Sequence, residues 1–132
     1  MDNTYMENPH SGTMAFRTLV VDDSSFQRTV VSDTLDDRFD IVDTAENGQE
    51  AVEKFEEYDP DVITLDIVMP EMTGIEALEA IKNRSPETII VMCTSVEQEE
   101  KMRQAAKAGA DGYVTKPVSE TKLLEEFDSI LE

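Results

Sequence analysis

A chain of 132 residues with 39% hydrophobic side chains and a single cysteine has the length of one ordinary domain and the material for a real core. That excludes a disulfide-stapled mini-protein and leaves no room for a catalytic domain plus a separate output module. With 11 Lys plus Arg against 30 Asp plus Glu the formal charge is −19, so unaided binding to nucleic acid or to an anionic membrane surface is disfavoured, both partners being polyanions.

Residues 1–15 are polar, contain Pro9 and Gly12, and show no periodicity, so they are predicted to form a flexible N-terminal tail in which the lone His10 is solvent-exposed. The segment has neither the basic nor the apolar region of a signal peptide, and no apolar stretch approaches the ~20 residues of a membrane span, so a soluble, cytoplasmic protein is expected.

From Phe16 onward short β-branched runs alternate with helical periodicity. Strand candidate Leu19-Val20-Val21 precedes the stripe Phe26/Val30/Val31/Leu35; Ile41-Val42 precedes Ala51/Val52/Phe55; and Val62 to Leu65 precedes Ile75/Leu78/Ile81. The run Ile89 to Cys93 leads to a helix from about Glu97 to Ala108, stopped where Gly109 offers a left-handed C-cap. Tyr113-Val114 leads to the clearest stripe, Leu123, Leu124, Phe127, Ile130 and Leu131. Five β–α repeats imply a parallel sheet, and middle strands that are apolar without alternation imply helices on both faces. The predicted fold is an α/β, doubly wound (βα)5 sandwich. Within it Cys93 is a buried, inert thiol, and Met69, Met72 and Met92 are core filling or loop packing.

In such a sheet ligands sit beyond the carboxyl ends of the strands. The residues at those ends are Asp22 and Asp23, then Asp66, then Thr94 and Ser95, and finally Lys116-Pro117. Carboxylates ~5 Å apart at an effective dielectric of ~20 repel by roughly 3 kcal/mol per pair, so three of them need cations. Lys116 supplies one charge, and an all-oxygen ligand set suits Mg²⁺ for the rest.

The segments LVVDDSS, LDIVMPEMTGIEAL, the Thr94-Ser95 pair and GYVTKP occur in this order. With them the stretch from Phe16 to Glu132 resembles the receiver domain of two-component response regulators, most closely the stand-alone chemotaxis (CheY-like) type. The composition itself, with 6 Lys beside 30 carboxylates, resembles that of proteins from salt-accumulating cytoplasms, and a halophilic archaeal source is expected. It implies a flavodoxin-like sheet in the order 2-1-3-4-5, with residues 16–132 as the receiver domain. Asp66 would be the phosphoacceptor; Asp23, Asp66 and the backbone carbonyl of Val68 would ligate Mg²⁺, with Asp22 reaching it through water. Lys116 and Thr94 would contact the phosphoryl oxygens, Tyr113 would be the aromatic switch, and the Lys116-Pro117 bond would be cis.

The implied function is a signalling switch rather than an enzyme, limited to self-phosphorylation and self-dephosphorylation. A sensor histidine kinase would donate the phosphoryl group, and the face formed by the fourth helix, fifth strand and fifth helix, including Met102 and Tyr113, would bind a motility-motor or adaptor protein. The protein is expected to be a monomer with no output domain and no nucleic-acid or membrane partner. An alternative is a phosphorelay intermediate passing phosphate to a histidine phosphotransfer protein. A haloacid-dehalogenase-like phosphatase is a remote alternative, since it needs Asp-x-Asp where this chain has Asp22-Asp23-Ser24. One departure is notable: the residues two beyond Asp66 and two beyond Thr94, which in the family tune attack by water, are the apolar Val68 and Val96.

Overall fold

The computed structural model describes residues 16–69, 72–95 and 99–131. The predicted tail with His10, together with Val96 and Glu97, lies outside the described residues. Strands β1 (Phe16–Val21), β2 (Phe39–Ala45), β3 (Val62–Asp66), β4 (Ile89–Thr94) and β5 (Gly112–Thr115) alternate with helices α1 (Ser25–Leu35), α2 (Gly48–Tyr58), α3 (Gly74–Arg84), α4 (Glu99–Lys107) and α5 (Glu120–Leu131). The strands are parallel, as the β–α repeats predict, and run in the order β2-β1-β3-β4-β5 that the family resemblance implies.

Alternation along each strand builds two cores, one on each face of the sheet. Leu19, Val21, Ile63, Leu65, Ile90 and Met92 point toward α2, α3 and α4, where they meet Phe55, Leu78, Ile81 and Ala105. Val20, Val62, Val91 and Val114 point the other way, onto Val31 and Leu35 of α1 and Leu123 and Phe127 of α5. Every residue of β3 is buried, which is why the middle of the sequence lacks a polar alternation.

Several local expectations need correction. Only Val31 and Leu35 of the first stripe are buried in α1, while Phe26 is 70% exposed. Phe26 lies in the first turn, past the end of β1 at Val21, where the sheet no longer reaches to cover it. Strand β2 is longer than Ile41-Val42, and its best-buried residues are Phe39 and Ala45 at its ends, because an edge strand leaves its middle half-covered. Among the described residues α4 begins at Glu99; Gly109 does take a left-handed conformation, with φ of 108°, after it. Met69 and Met92 are buried, and Cys93 is buried with its thiol pushed up to about 12, chiefly by desolvation and then by the charge of Asp22.

Candidate functional site

Strand order reverses between β1 and β3, so the crevice outside their carboxyl ends is where side chains from separate crossovers can meet. The register sets the depth: Val21 sits beside Leu65, Asp66 beside Cys93, and Thr94 beside Thr115. The chain positions following these pairs therefore fall on one edge.

Asp22 and Asp66 are held there by local contacts. The amide of Asp22 donates to the Ala45 carbonyl at 3.1 Å, extending the β1–β2 ladder by one step. Its carboxylate accepts from the Ser24 amide at 2.9 Å, and Ser24 in turn caps α1 by accepting from the Gln27 amide. Arg28, at the end of the first turn of α1, donates to the Asp22 carbonyl at 2.7 Å. Asp66 is the last residue of β3, and the start of α3 is folded tightly against it: the Gly74 amide donates to the Ile67 carbonyl at 2.8 Å, and a Cβ on Gly74 would lie 2.0 Å from the Asp66 carbonyl oxygen. A capping box between Thr73 and Glu76 fixes that helix start.

Carboxylate oxygens of Asp22, Asp23 and Asp66 lie within 4.8 Å of one another, Asp22 and Asp66 buried and Asp23 exposed. The Lys116 amide donates to the Thr94 carbonyl at 2.7 Å, and its ammonium reaches Asp22 at 3.0 Å and Asp66 at 3.3 Å. Burial, then the neighbouring charge of Asp22, pushes the Asp66 carboxyl up to about 6, against the pull of Lys116 and of the Val68 amide, which donates to it. Burial alone would lower Lys116, but its hydrogen bond to Asp22 and the charges of Asp66 and Asp22 outweigh that and hold the ammonium above its ordinary range.

One ammonium against three carboxylates leaves the edge at a formal −2 when all are ionised. The Thr94 hydroxyl is buried at the same edge without a hydrogen-bond partner, and such an orphan costs about 1–3 kcal/mol. An all-oxygen cluster two charges short, beside a free hydroxyl donor, fits a hard divalent cation shared with an anionic ligand.

The structure thus gathers Asp22, Asp23, Asp66 and Lys116 and sets Thr94 beside the Lys116 backbone. Tyr113 is 38% exposed on β5, Val68 is 51% exposed on the loop after Asp66, and the Lys116-Pro117 bond is cis. Met102 is half-buried and packs against the core beneath α4, so it offers a partner only part of its side chain. Sequence reasoning missed Arg28, whose spacing of six from Asp22 returns a helical side chain to the strand end, and it missed Lys122 and Glu126, which bond to the β5 backbone.

Comparisons with known proteins follow the same lines. The family described as response regulator receiver domain matches residues 18–128. The chain is similar to the chemotaxis protein CheY of Halobacterium salinarum, 50% identical over 118 residues covering 89% of this chain and 98% of that protein. It is also similar to that of Bacillus subtilis, 42% identical over 119 residues covering 89% of this chain and 99% of that one. Among solved structures, the CheX-CheY-BeF3-Mg complex of Borrelia burgdorferi superposes with a TM-score of 0.86 at 31% identity, over 95% of both chains. Vibrio cholerae chemotaxis protein CheY4 superposes with a TM-score of 0.81 at 36% identity, over 89% of this chain and 99% of that one.

Proposed function

The chain belongs to the response regulator receiver family, of the CheY-like chemotaxis type, and on that premise we propose that it is a phosphorylation-activated switch whose phosphoacceptor is Asp66. The observation that carries this reading is the convergence of three carboxylates, one lysine and an unpartnered threonine hydroxyl at a single sheet edge. The acidic composition and the similar protein of Halobacterium salinarum support a cytoplasmic role in the motility signalling of a salt-accumulating cell.

In the proposed reaction an Asp66 carboxylate oxygen attacks phosphorus in line. A P–O bond forms as the P–N bond of a kinase phosphohistidine breaks, its electron pair returning to the departing imidazole nitrogen. Lys116 meets the negative charge gathering on the phosphoryl oxygens, and Thr94 gives its free hydroxyl hydrogen to one of them. Mg²⁺, held by Asp23, Asp66 and the Val68 carbonyl with Asp22 reaching it through water, would supply Lewis-acid neutralisation of the same charge. Drawing Thr94 toward the phosphoryl group lets Tyr113 turn inward, changing the α4–β5–α5 face that binds a motor or adaptor protein.

Incubation with acetyl phosphate and Mg²⁺ followed by intact mass tests this. One added phosphoryl group is expected with Mg²⁺ and none in EDTA; no adduct in either, or an adduct on a residue other than Asp66, contradicts the assignment. Val68 bears on the lifetime of that adduct, since its exposed isopropyl group beside Asp66 cannot hydrogen-bond an attacking water. Val68→Asn is expected to lose phosphate several-fold to about tenfold faster, the scale of one hydrogen bond to the nucleophile. Decay equal to or slower than that of the native protein contradicts the shielding role.

A further inference from the structure

Lys116 is carried by the least supported strand in the sheet. Strand β5 has four residues, lies at the edge and, among the described residues, pairs only with β4. On its open side, two α5 side chains one turn apart take backbone groups that no strand reaches. Glu126 accepts from the Tyr113 amide at 3.1 Å, and its carboxylate seats against Gly112, where a Cβ would lie 2.3 Å from the Glu126 Oε2. The Lys122 ammonium donates to the carbonyls of Thr115 at 3.2 Å and Pro117 at 3.3 Å, with the Thr115 hydroxyl at 3.5 Å.

Those two carbonyls belong to the residues immediately before and after Lys116. Its own amide is held from the opposite side by the Thr94 carbonyl at 2.7 Å. The backbone that aims the Lys116 ammonium is therefore gripped by β4 on one side and by Lys122 on the other. Lys122 is the only cation in α5, a helix that otherwise carries Glu120, Glu125, Glu126 and Asp128.

We propose that Lys122 is a positioning residue for phosphoryl transfer, clasping Thr115 and Pro117 so that the Lys116 ammonium stays over Asp22 and Asp66. This rests on the reading above, in which Lys116 meets the phosphoryl oxygens. Released on its open side, the loop drifts, and sub-ångström to ångström drift of a charge-stabilising group is costly, up to about 10²-fold per 1 Å. Magnesium affinity is expected to change little, because Asp22, Asp23 and Asp66 are positioned by the ends of β1 and β3 and Lys122 bonds to none of them directly.

The test measures the rate of acetyl-phosphate-driven phosphorylation at saturating Mg²⁺, together with Mg²⁺ affinity and melting temperature, in Lys122→Met, Lys122→Arg and Lys116→Met. Lys122→Met is expected to react about fivefold more slowly, with Mg²⁺ affinity within about twofold of native and melting within a few degrees. Lys122→Arg is expected to regain most of the rate, since a guanidinium can donate to both carbonyls. Lys116→Met is expected to be slower than either. Native rate in Lys122→Met alongside a slow Lys116→Met overturns the clasp alone. Parallel loss of rate and Mg²⁺ affinity in Lys122→Met also overturns it, in favour of a general packing role. Native rate in Lys116→Met overturns the underlying reading of Lys116, and the clasp with it.

Discussion

Asp66→Asn is expected to melt roughly 4–8 °C above the native protein in EDTA near neutral pH, while losing the phosphoryl adduct entirely. The Asp66 carboxyl titrates at about 6 in the fold, pushed up by burial and by Asp22, against an ordinary value of 3.8. A raised acid means that the folded state holds the proton more tightly than the unfolded chain. Stability is therefore lost as the pH rises from about 4 through about 6, and the full penalty applies above that. The edge is partly open to water, so the penalty is about 1–2 kcal/mol rather than the undiscounted figure, and a domain of this size converts that to the stated shift. Asparagine is neutral in both states and escapes it. The advantage should shrink as the pH is lowered toward 4, where Asp66 is protonated anyway, and should also shrink on adding Mg²⁺, which binds the native acidic set more strongly. A variant that melts below the native protein in EDTA contradicts the electrostatic account of the site.

Gly74→Ala is expected to be the most damaging single-methyl substitution at the site, lowering stability by about 2–4 kcal/mol and the melting temperature by roughly 10 °C. The new Cβ would lie 2.0 Å from the Asp66 carbonyl oxygen and 2.8 Å from the Ile67 Cα, both backbone atoms that cannot rotate away. Relief requires α3 to draw back from the end of β3, which breaks the bond from the Gly74 amide to the Ile67 carbonyl and moves the Asp66 carboxylate. Weaker Mg²⁺ binding should accompany the lost stability. Thermal melting checks the first effect and metal titration the second; native values for both contradict the tight approach.

The strand ends were legible because Asp22, Asp23, Asp66 and Thr94 come where apolar runs stop and Lys116 comes two residues beyond Val114, so all five follow from knowing where each run ends. The alternation of Leu19 and Val21 against Val20 across two cores was not, since both faces of a central strand are apolar and no polar residue marks the period. Phe26 was misplaced because helical spacing gives direction around an axis but not whether the sheet extends far enough to cover that turn. The bonds from Lys122 and Glu126 to the β5 backbone were hidden for a different reason: they join an exposed helix face to an edge strand, and a charged residue on such a face has the same pattern whether it is solvated or bonded. Arg28 lay between these cases, its spacing suggestive but its acceptor a backbone carbonyl that sequence does not display.

The most direct measurement is a calorimetric Mg²⁺ titration of the unphosphorylated protein beside Asp23→Asn and Asp66→Asn. Because three carboxylates lie within 4.8 Å of one another and the lysine beside them pairs with only Asp22 and Asp66, the native chain is expected to bind one Mg²⁺ saturably, and each variant to bind it roughly tenfold or more weakly. Absence of saturable binding in the native chain, or equal affinity in all three proteins, would show that these acids do not act together.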